Sequence, residues 1–278
     1  VSEAAAIARL LADPDPGIAS SLRRQLLARE DEPPGLREAV EALPDPVERA
    51  RAREARFEIG CERAADRLIR RGRSGHELDL ELGAFEIARM EDPDADVVTA
   101  GKTLDALAER ARPKVAAACN PRARLEALAW FLGQEEGFTG DRNEEEVPRC
   151  SSLPSVIERR RGLPISLSTV YLLVGRRLGL ELFGVAAPLH FLVGGPIDGG
   201  MLYLDAFDRG RTLEAEDAAA LLRGLGVVFR LEHLAPAATR PIVARMARNL
   251  VAFYARRPRG ESRARRYARV AMALEDSL

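Results

Sequence analysis

The chain has 278 residues, of which 46% are hydrophobic and 31% charged, enough for one large domain or two to three smaller ones around a real core. Its formal net charge of -1 gives no global electrostatic reason to bind nucleic acid or an anionic membrane surface. Three widely spaced cysteines, Cys61, Cys119 and Cys150, argue against a disulfide framework, and with three histidines and no Cys-x-x-Cys neither a structural metal nor a cofactor is expected.

No apolar run approaches the ~18 residues of a membrane span. The first segment, VSEAAAIARLLADPDP, reads as an amphipathic helix without the basic stretch that opens a signal peptide. A cytoplasmic protein is expected. Residues 1–74 read as short helices separated by Asp-Pro and Pro-Pro punctuation. Ala6, Ile7, Leu10 and Leu11 form one stripe, Ile18, Leu22, Leu26 and Leu27 a second, and Leu36, Val40 and Leu43 a third. A fourth helix is expected from Val47 to about Gly60, followed by a solvated linker at Arg70–Ser74. The tract LLADPDPGIASSLRRQLL with the repeated Asp-Pro turn resembles a HEAT-type repeat; the alternative is a plain pair of helical hairpins capping the next domain.

Leu78 to Met90, Leu104 to Arg112 and Pro121 to Leu132 carry the periodicity of three further helices, and Gly133 to Pro154 reads as a long polar loop. Pro164 then begins a helix that runs through Val170, Tyr171, Leu173, Val174 and Leu178, with Gly179 as its stop. Three apolar strand candidates follow, Leu180–Ala186, Leu189–Val193 and Met201–Phe207, the last two flanking a glycine-rich turn. A hairpin closing symmetrically about that turn makes His190 and Asp205 direct cross-strand neighbours on one sheet face. In such a pair the carboxylate orients the imidazole, as in a hydrolase triad.

The tracts LDLELGAFEIARMEDPDAD, WFLGQEEGFTG, SVIERRRGLPISLSTVYLLVGRRLGL, GVAAPLHFLV and LYLDAFDRGR together resemble the SirB1 family, whose domain belongs to the transglutaminase-like superfamily. The resemblance implies an α+β fold, a papain/transglutaminase-like core in which a helix packs on an antiparallel sheet. Helical segments flank it: 1–74 HEAT-like, 75–215 the domain itself, and 216–278 a tetratricopeptide-like pair. In active relatives a cysteine at the helix start attacks an acyl carbon, and a histidine and an aspartate complete the triad. His190 and Asp205 match those two positions. The nucleophile position falls at Pro164–Ser166, where no cysteine stands. The chain also reads Pro188-Leu189-His190 where the family usually has Pro-Gly-His.

Ser166 is the candidate replacement nucleophile, and Cys150, upstream in the variable loop, is a second; both need alignment by a base. The Glu158–Arg161 run reads either as a solvated face or, as the family resemblance implies, as an arginine near the helix entry that ties the loop to a carboxylate. In the C-terminal helical pair, the basic run Arg256–Arg269 faces either the acidic Glu144–Glu146 segment or a partner. The leading expectation is a non-catalytic domain with a degenerate triad, acting as a regulatory or protein-binding scaffold for a protein partner, without nucleic acid or membrane. The alternative is a hydrolase or acyltransferase using Ser166 or Cys150 with His190 and Asp205.

Overall fold

In a computed structural model that describes residues 2–275, the N-terminal punctuation works as helix caps. Helices α1 (Glu3–Ala12), α2 (Pro16–Leu27) and α4 (Pro46–Arg73) start on Ser2, Asp15 and Asp45, whose side chains accept hydrogen bonds from first-turn N–H groups. Each cap satisfies donors that have no partner inside the helix. With α3 (Leu36–Glu41) these helices enclose a separate small core built on Ala8, Leu11, Leu26, Leu36, Val40 and Ala52.

Helix α4 is longer than its sequence pattern predicts. It runs 28 residues to Arg73, past Gly60, because its second half buries Ala64, Ala65 and Leu68 in the main core. Tertiary burial overrides the weak propensity of one glycine. The expected linker at Arg70–Ser74 is therefore the last turn of this helix and its cap, where Arg70, Arg71 and Arg73 suit the negative end of the macrodipole.

Helices α5 (Leu80–Glu91), α6 (Val97–Ala116) and α7 (Pro121–Trp130) are capped by Asp79, Asp96 and Asn120. Helix α6 passes through Pro113 instead of stopping at Arg112. The proline sits close to the helix end, and the neighbouring Ala111 and Val115 are both buried. After α7 the chain makes a π-type turn, Phe131–Glu135.

The segment expected as a polar loop is mostly ordered structure. It holds β1 (Thr139–Gly140), a 3-10 turn at Glu144–Glu146, α8 (Val147–Ser151) and α9 (Leu153–Arg159). Strand β2 (Arg161–Gly162) then pairs parallel with β1. These pieces are too short for periodicity to show, yet Leu153, Val156 and Ile157 anchor them in the main core.

Helix α10 (Pro164–Arg177) is the centre of that core; every residue from Ile165 to Gly175 is buried. It ends as the sequence predicts: Gly179 takes φ +70°, Gly179 N–H donates to Arg176 O and Leu180 N–H to Gly175 O. That is the Schellman arrangement. An antiparallel sheet follows, in the order β3 (Phe183–Val185), β4 (Leu192–Ile197), β5 (Gly200–Asp205) and β6 (Arg211–Leu213). Its two faces alternate by residue. Val193, Leu202 and Leu204 face the main core, while Leu192 and Tyr203 pack under α11 (Ala215–Gly224) with Ala218 and Leu222.

Two C-terminal helices, α12 (Thr239–Tyr254) and α13 (Glu261–Glu275), pack back onto the domain. Helix α12 contributes Ile242, Val243, Met246 and Leu250 to the main core. The guanidinium of Arg266 on α13 reaches Glu58 and Glu62 of α4, and Arg269 adds Glu62 and Asp66. The architecture is α+β, an antiparallel sheet and its central helix surrounded by helices. Among the described residues, no helix is long and apolar enough to cross a membrane.

Candidate functional site

The site is built where the loop entering β4, the end of β5 and the start of α10 converge. His190 lies two residues before β4. Its N–H donates to Ala187 O at 3.3 Å, closing a turn that places Leu189 at φ +61°. That left-handed backbone is costly for a residue with a branched side chain and free for glycine. The usual Pro-Gly-His wording thus has a backbone reason, and this chain keeps the conformation without the glycine. Arg245 of α12 clamps the same turn, donating to Ala187 O at 2.6 Å and His190 O at 2.8 Å.

The expected pairing is present: His190 Nε2 lies 3.0 Å from Asp205 Oδ1, and both side chains are buried. The same Oδ1 accepts Phe207 N–H at 3.0 Å and Asp208 N–H at 3.3 Å, so the carboxylate is fixed by the chain that leaves β5. The route to this contact differs from the symmetric hairpin. Residues Ile197 and Gly200 close the turn and the ladder ends with Val193 paired to Leu204, a register that, carried past the strand ends, aligns His190 with Phe207 and not with Asp205. The turn is only Asp198-Gly199, with Gly199 at φ +84°, and Gly194–Ile197 belong to the strand. The difference in register is two residues, so His190 and Asp205 stay on one face and meet diagonally. Phe207 meets the imidazole edge-on, ring centroids 6.0 Å apart.

Opposite the imidazole is the start of α10. Leu163 occupies its cap position and no side chain caps the first turn. Ser166 is 1% exposed, and its hydroxyl is buried with no hydrogen-bond partner, so His190 does not hold it. Ser168 donates to Phe191 O at 3.4 Å and Thr169 to Ile165 O at 2.8 Å; these hydroxyls serve packing. Cys150 is wholly buried on α8, where its carbonyl accepts the Leu163 N–H at 3.2 Å. Burial pushes the thiol up to about 11, with Asp141 adding to the shift. A reactive thiol needs the opposite, an electropositive and accessible setting. Cys61, buried on α4, is pushed up to about 12 by burial, and Cys119 is exposed between α6 and α7. No group of three or more His, Cys, Asp or Glu side chains able to hold a metal exists among the described residues.

His190 and the α10 entry face a cleft of about 470 Å³. Its floor is Leu163, Pro164 and Ile165, and its far wall is Asn249, Phe253 and Arg256 of α12. This wall was not legible in the sequence, because nothing in a basic amphipathic helix says which distant turn it will cover. The acidic segment is in part neutralised within the chain. Arg257 meets Glu145 at 2.6 Å, and Arg159 meets Glu146 at 3.0 Å and Asp141 at 3.8 Å. Arg159 is the expected tie between the helix entry and a carboxylate.

Comparison with known proteins places this geometry in a family. The transglutaminase-like superfamily matches residues 99–248, which span α6 to α12 and hold both His190 and Asp205. A UPF0162 protein of Xylella fastidiosa (strain Temecula1) is 38% identical over 194 residues, covering 68% of this chain and 69% of that protein. A UPF0162 protein of Vibrio cholerae is 31% identical over 116 residues, 42% of this chain and 43% of its own. F-box only protein 21 of Mus musculus is 33% identical over 106 residues, 35% of this chain but 17% of that protein. No solved structure matches. With a superfamily match over more than half its length, and a histidine–aspartate pair set against the start of the central helix, this chain belongs to the transglutaminase-like superfamily.

Proposed function

We propose that this is a non-catalytic, SirB1-type transglutaminase-like protein, a cytoplasmic regulatory or protein-binding scaffold whose former active-site cleft serves binding. One observation carries the reading. The base and its orienting carboxylate are in place, His190 Nε2 to Asp205 Oδ1 at 3.0 Å, but no nucleophile stands against them. Pro164 opens α10, the Ser166 hydroxyl is sealed without a partner, and the Cys150 thiol is buried and held protonated. Nucleophilic catalysis needs the attacking group within hydrogen-bond reach of its base, ~2.6–3.2 Å or somewhat looser without substrate. A serine hydroxyl that the imidazole does not touch gains no activation, and a thiol shifted upward is scarcely ionised near neutral pH.

The His190–Asp205 pair then has a structural task. It joins the loop before β4 to the end of β5 and fixes the rim of the cleft. The flanking helices, HEAT-like in their Asp-Pro turns at the N-terminus and a tetratricopeptide-like pair at the C-terminus, supply the additional surface a scaffold needs.

The test is turnover. Activated acyl esters and a glutaminyl peptide with a primary amine are incubated with the wild-type protein and with His190→Ala. The reading predicts no difference between the two in ester hydrolysis or amine incorporation. Turnover that disappears in His190→Ala and in Ser166→Ala or Cys150→Ala establishes the hydrolase or acyltransferase alternative.

A further inference from the structure

We propose that the cleft between the α10 entry and α12 binds a carboxylate attached to an apolar body, the carboxylate lying against Arg245 and Arg256 and the apolar part on Leu163, Pro164, Ile165 and Phe253. This rests on the reading of the cleft as a binding site and names the class of ligand it takes.

Four observations support it. First, Arg245 is a half-buried cation without an acid. Its guanidinium meets only the carbonyls of Ala187 and His190 and the face of Phe191, and among the described residues it has no carboxylate partner. Burial, and to a lesser extent the charge of Arg248, lowers its pKa: the two carbonyls take the place of some water, but no acid neutralises the charge among the described residues. Sheltered charges are costly unless they are paired.

Second, Arg256 lines the same space, and no ion pair or side-chain hydrogen bond of Arg256 occurs among the described residues. Its neighbour Arg257 is committed to Glu145 and the Phe253 ring. Of the acids, only the exposed Glu144 lines the cleft, so its walls carry a surplus of positive charge.

Third, α10 begins at the floor of the cleft with no side-chain cap, as α3, α8, α9 and α12 also begin elsewhere in the fold. Leu163, Pro164 and Ile165 line the floor, so the positive end of the α10 dipole faces the same space as the two arginines.

Fourth, Leu189 stands on the rim, 73% exposed in a left-handed conformation. A large apolar side chain held out to solvent on a strained backbone offers a lid contact to an apolar ligand. The volume of about 470 Å³ lies in the small-ligand range, ~300–1,000 Å³. It accommodates an arylalkanoic acid or the last two residues of a peptide ending in a free carboxylate.

The experiment is a titration of the isotopically labelled full chain, followed by backbone and side-chain NMR shifts. The probes are 4-phenylbutyrate and N-acetyl-Leu-Phe with a free carboxylate, each beside its amide. The acids are expected to shift Leu189, His190 and Asn249 and to bind at least about tenfold more tightly than the amides, as a charge-assisted hydrogen bond implies. Arg256→Gln, a surface change that leaves the fold intact, weakens the acids about three- to fivefold, and Glu144→Gln tightens them about twofold, the scale of partly exposed charge pairs. Binding by the dipeptide alone identifies the ligand as a chain end, and equal binding by phenylbutyrate identifies a free acid. The proposal is overturned by equal affinity for acid and amide, by insensitivity to both substitutions, or by the absence of cleft shifts with every acid. None of those outcomes produces His190-dependent turnover, so failure here is distinct from failure of the non-catalytic reading.

Discussion

The N-terminal helical layer and the α10 entry solve the same problem in opposite ways. In the layer, the starts of α1, α2 and α4 are closed by Ser2, Asp15 and Asp45, which take up first-turn donors, while the short α3 starts uncapped on Gly35. At α10 the start has no side-chain cap near His190, beside a half-buried arginine held by two carbonyls and without a carboxylate partner among the described residues. The first arrangement is what a chain does when only stability is at stake. The second leaves favourable interactions unmade within the fold, which is what the proposed binding role calls for.

The comparison can be broken at the carboxylate that organises the open side. Asp205→Ala removes the acceptor for His190 Nε2 and for the N–H groups of Phe207 and Asp208 at one stroke. The expected loss is about 3 kcal/mol, since buried donors are left without partners. It is read from the shift of the urea midpoint at constant slope, and a loss near zero removes the pair from the structural account.

A pH series sharpens the contrast next. Cys150 and Cys61 are raised above the ordinary thiol value of 9.0, to about 11 and about 12, both chiefly by burial. The unfolded chain therefore releases these protons first. Stability is complete below about pH 8.5 and falls as the pH rises through 9 toward 11 and 12, by roughly 3 kcal/mol for each thiol at the alkaline limit. Burial raises the phenols of Tyr171, Tyr254 and Tyr267 as well, which adds to the fall at the alkaline end. The double substitution Cys61→Ala/Cys150→Ala flattens the first part of the curve; an unchanged curve contradicts the assignment.

On the closed side, Asp45→Ala exposes the Val47 and Glu48 N–H groups that its carboxylate accepts, and it costs about 1 kcal/mol. The smallest effect is expected at the rim of the cleft, where the sign reverses. Leu189→Gly relieves the φ +61° backbone while losing little burial, because the side chain is 73% exposed. It raises stability by about 0.5–1 kcal/mol in thermal unfolding. The same substitution weakens apolar carboxylates at the cleft. A gain in stability without loss of ligand reduces Leu189 to a tolerated outlier.

The parts legible in the sequence were those written locally. Asp-Pro and Asn-Pro starts, the Gly179 stop and the apolar run of α10 each carry their own geometry. The His190–Asp205 pairing was legible too, although for a slightly different reason: an error of two residues in register keeps the sheet face, whereas an error of one would have lost it. What stayed hidden depended on distant partners. The length of α4 is set by the core its second half reaches, and α8 and α9 are too short to show a period. The arginine wall on α12 becomes a wall only when the C-terminal pair folds back over the β4 entry.

The central claim is that a histidine–aspartate pair survives beside a helix start that bears no nucleophile. Intact-mass analysis of the native protein after treatment with acyl-type electrophiles, followed by peptide mapping, addresses it most directly. The account predicts adducts at exposed groups such as Cys119, Lys102 and Lys114 and none within residues 147–168, with identical results for His190→Ala. A stoichiometric adduct on Ser166 or Cys150 that disappears in His190→Ala would contradict it.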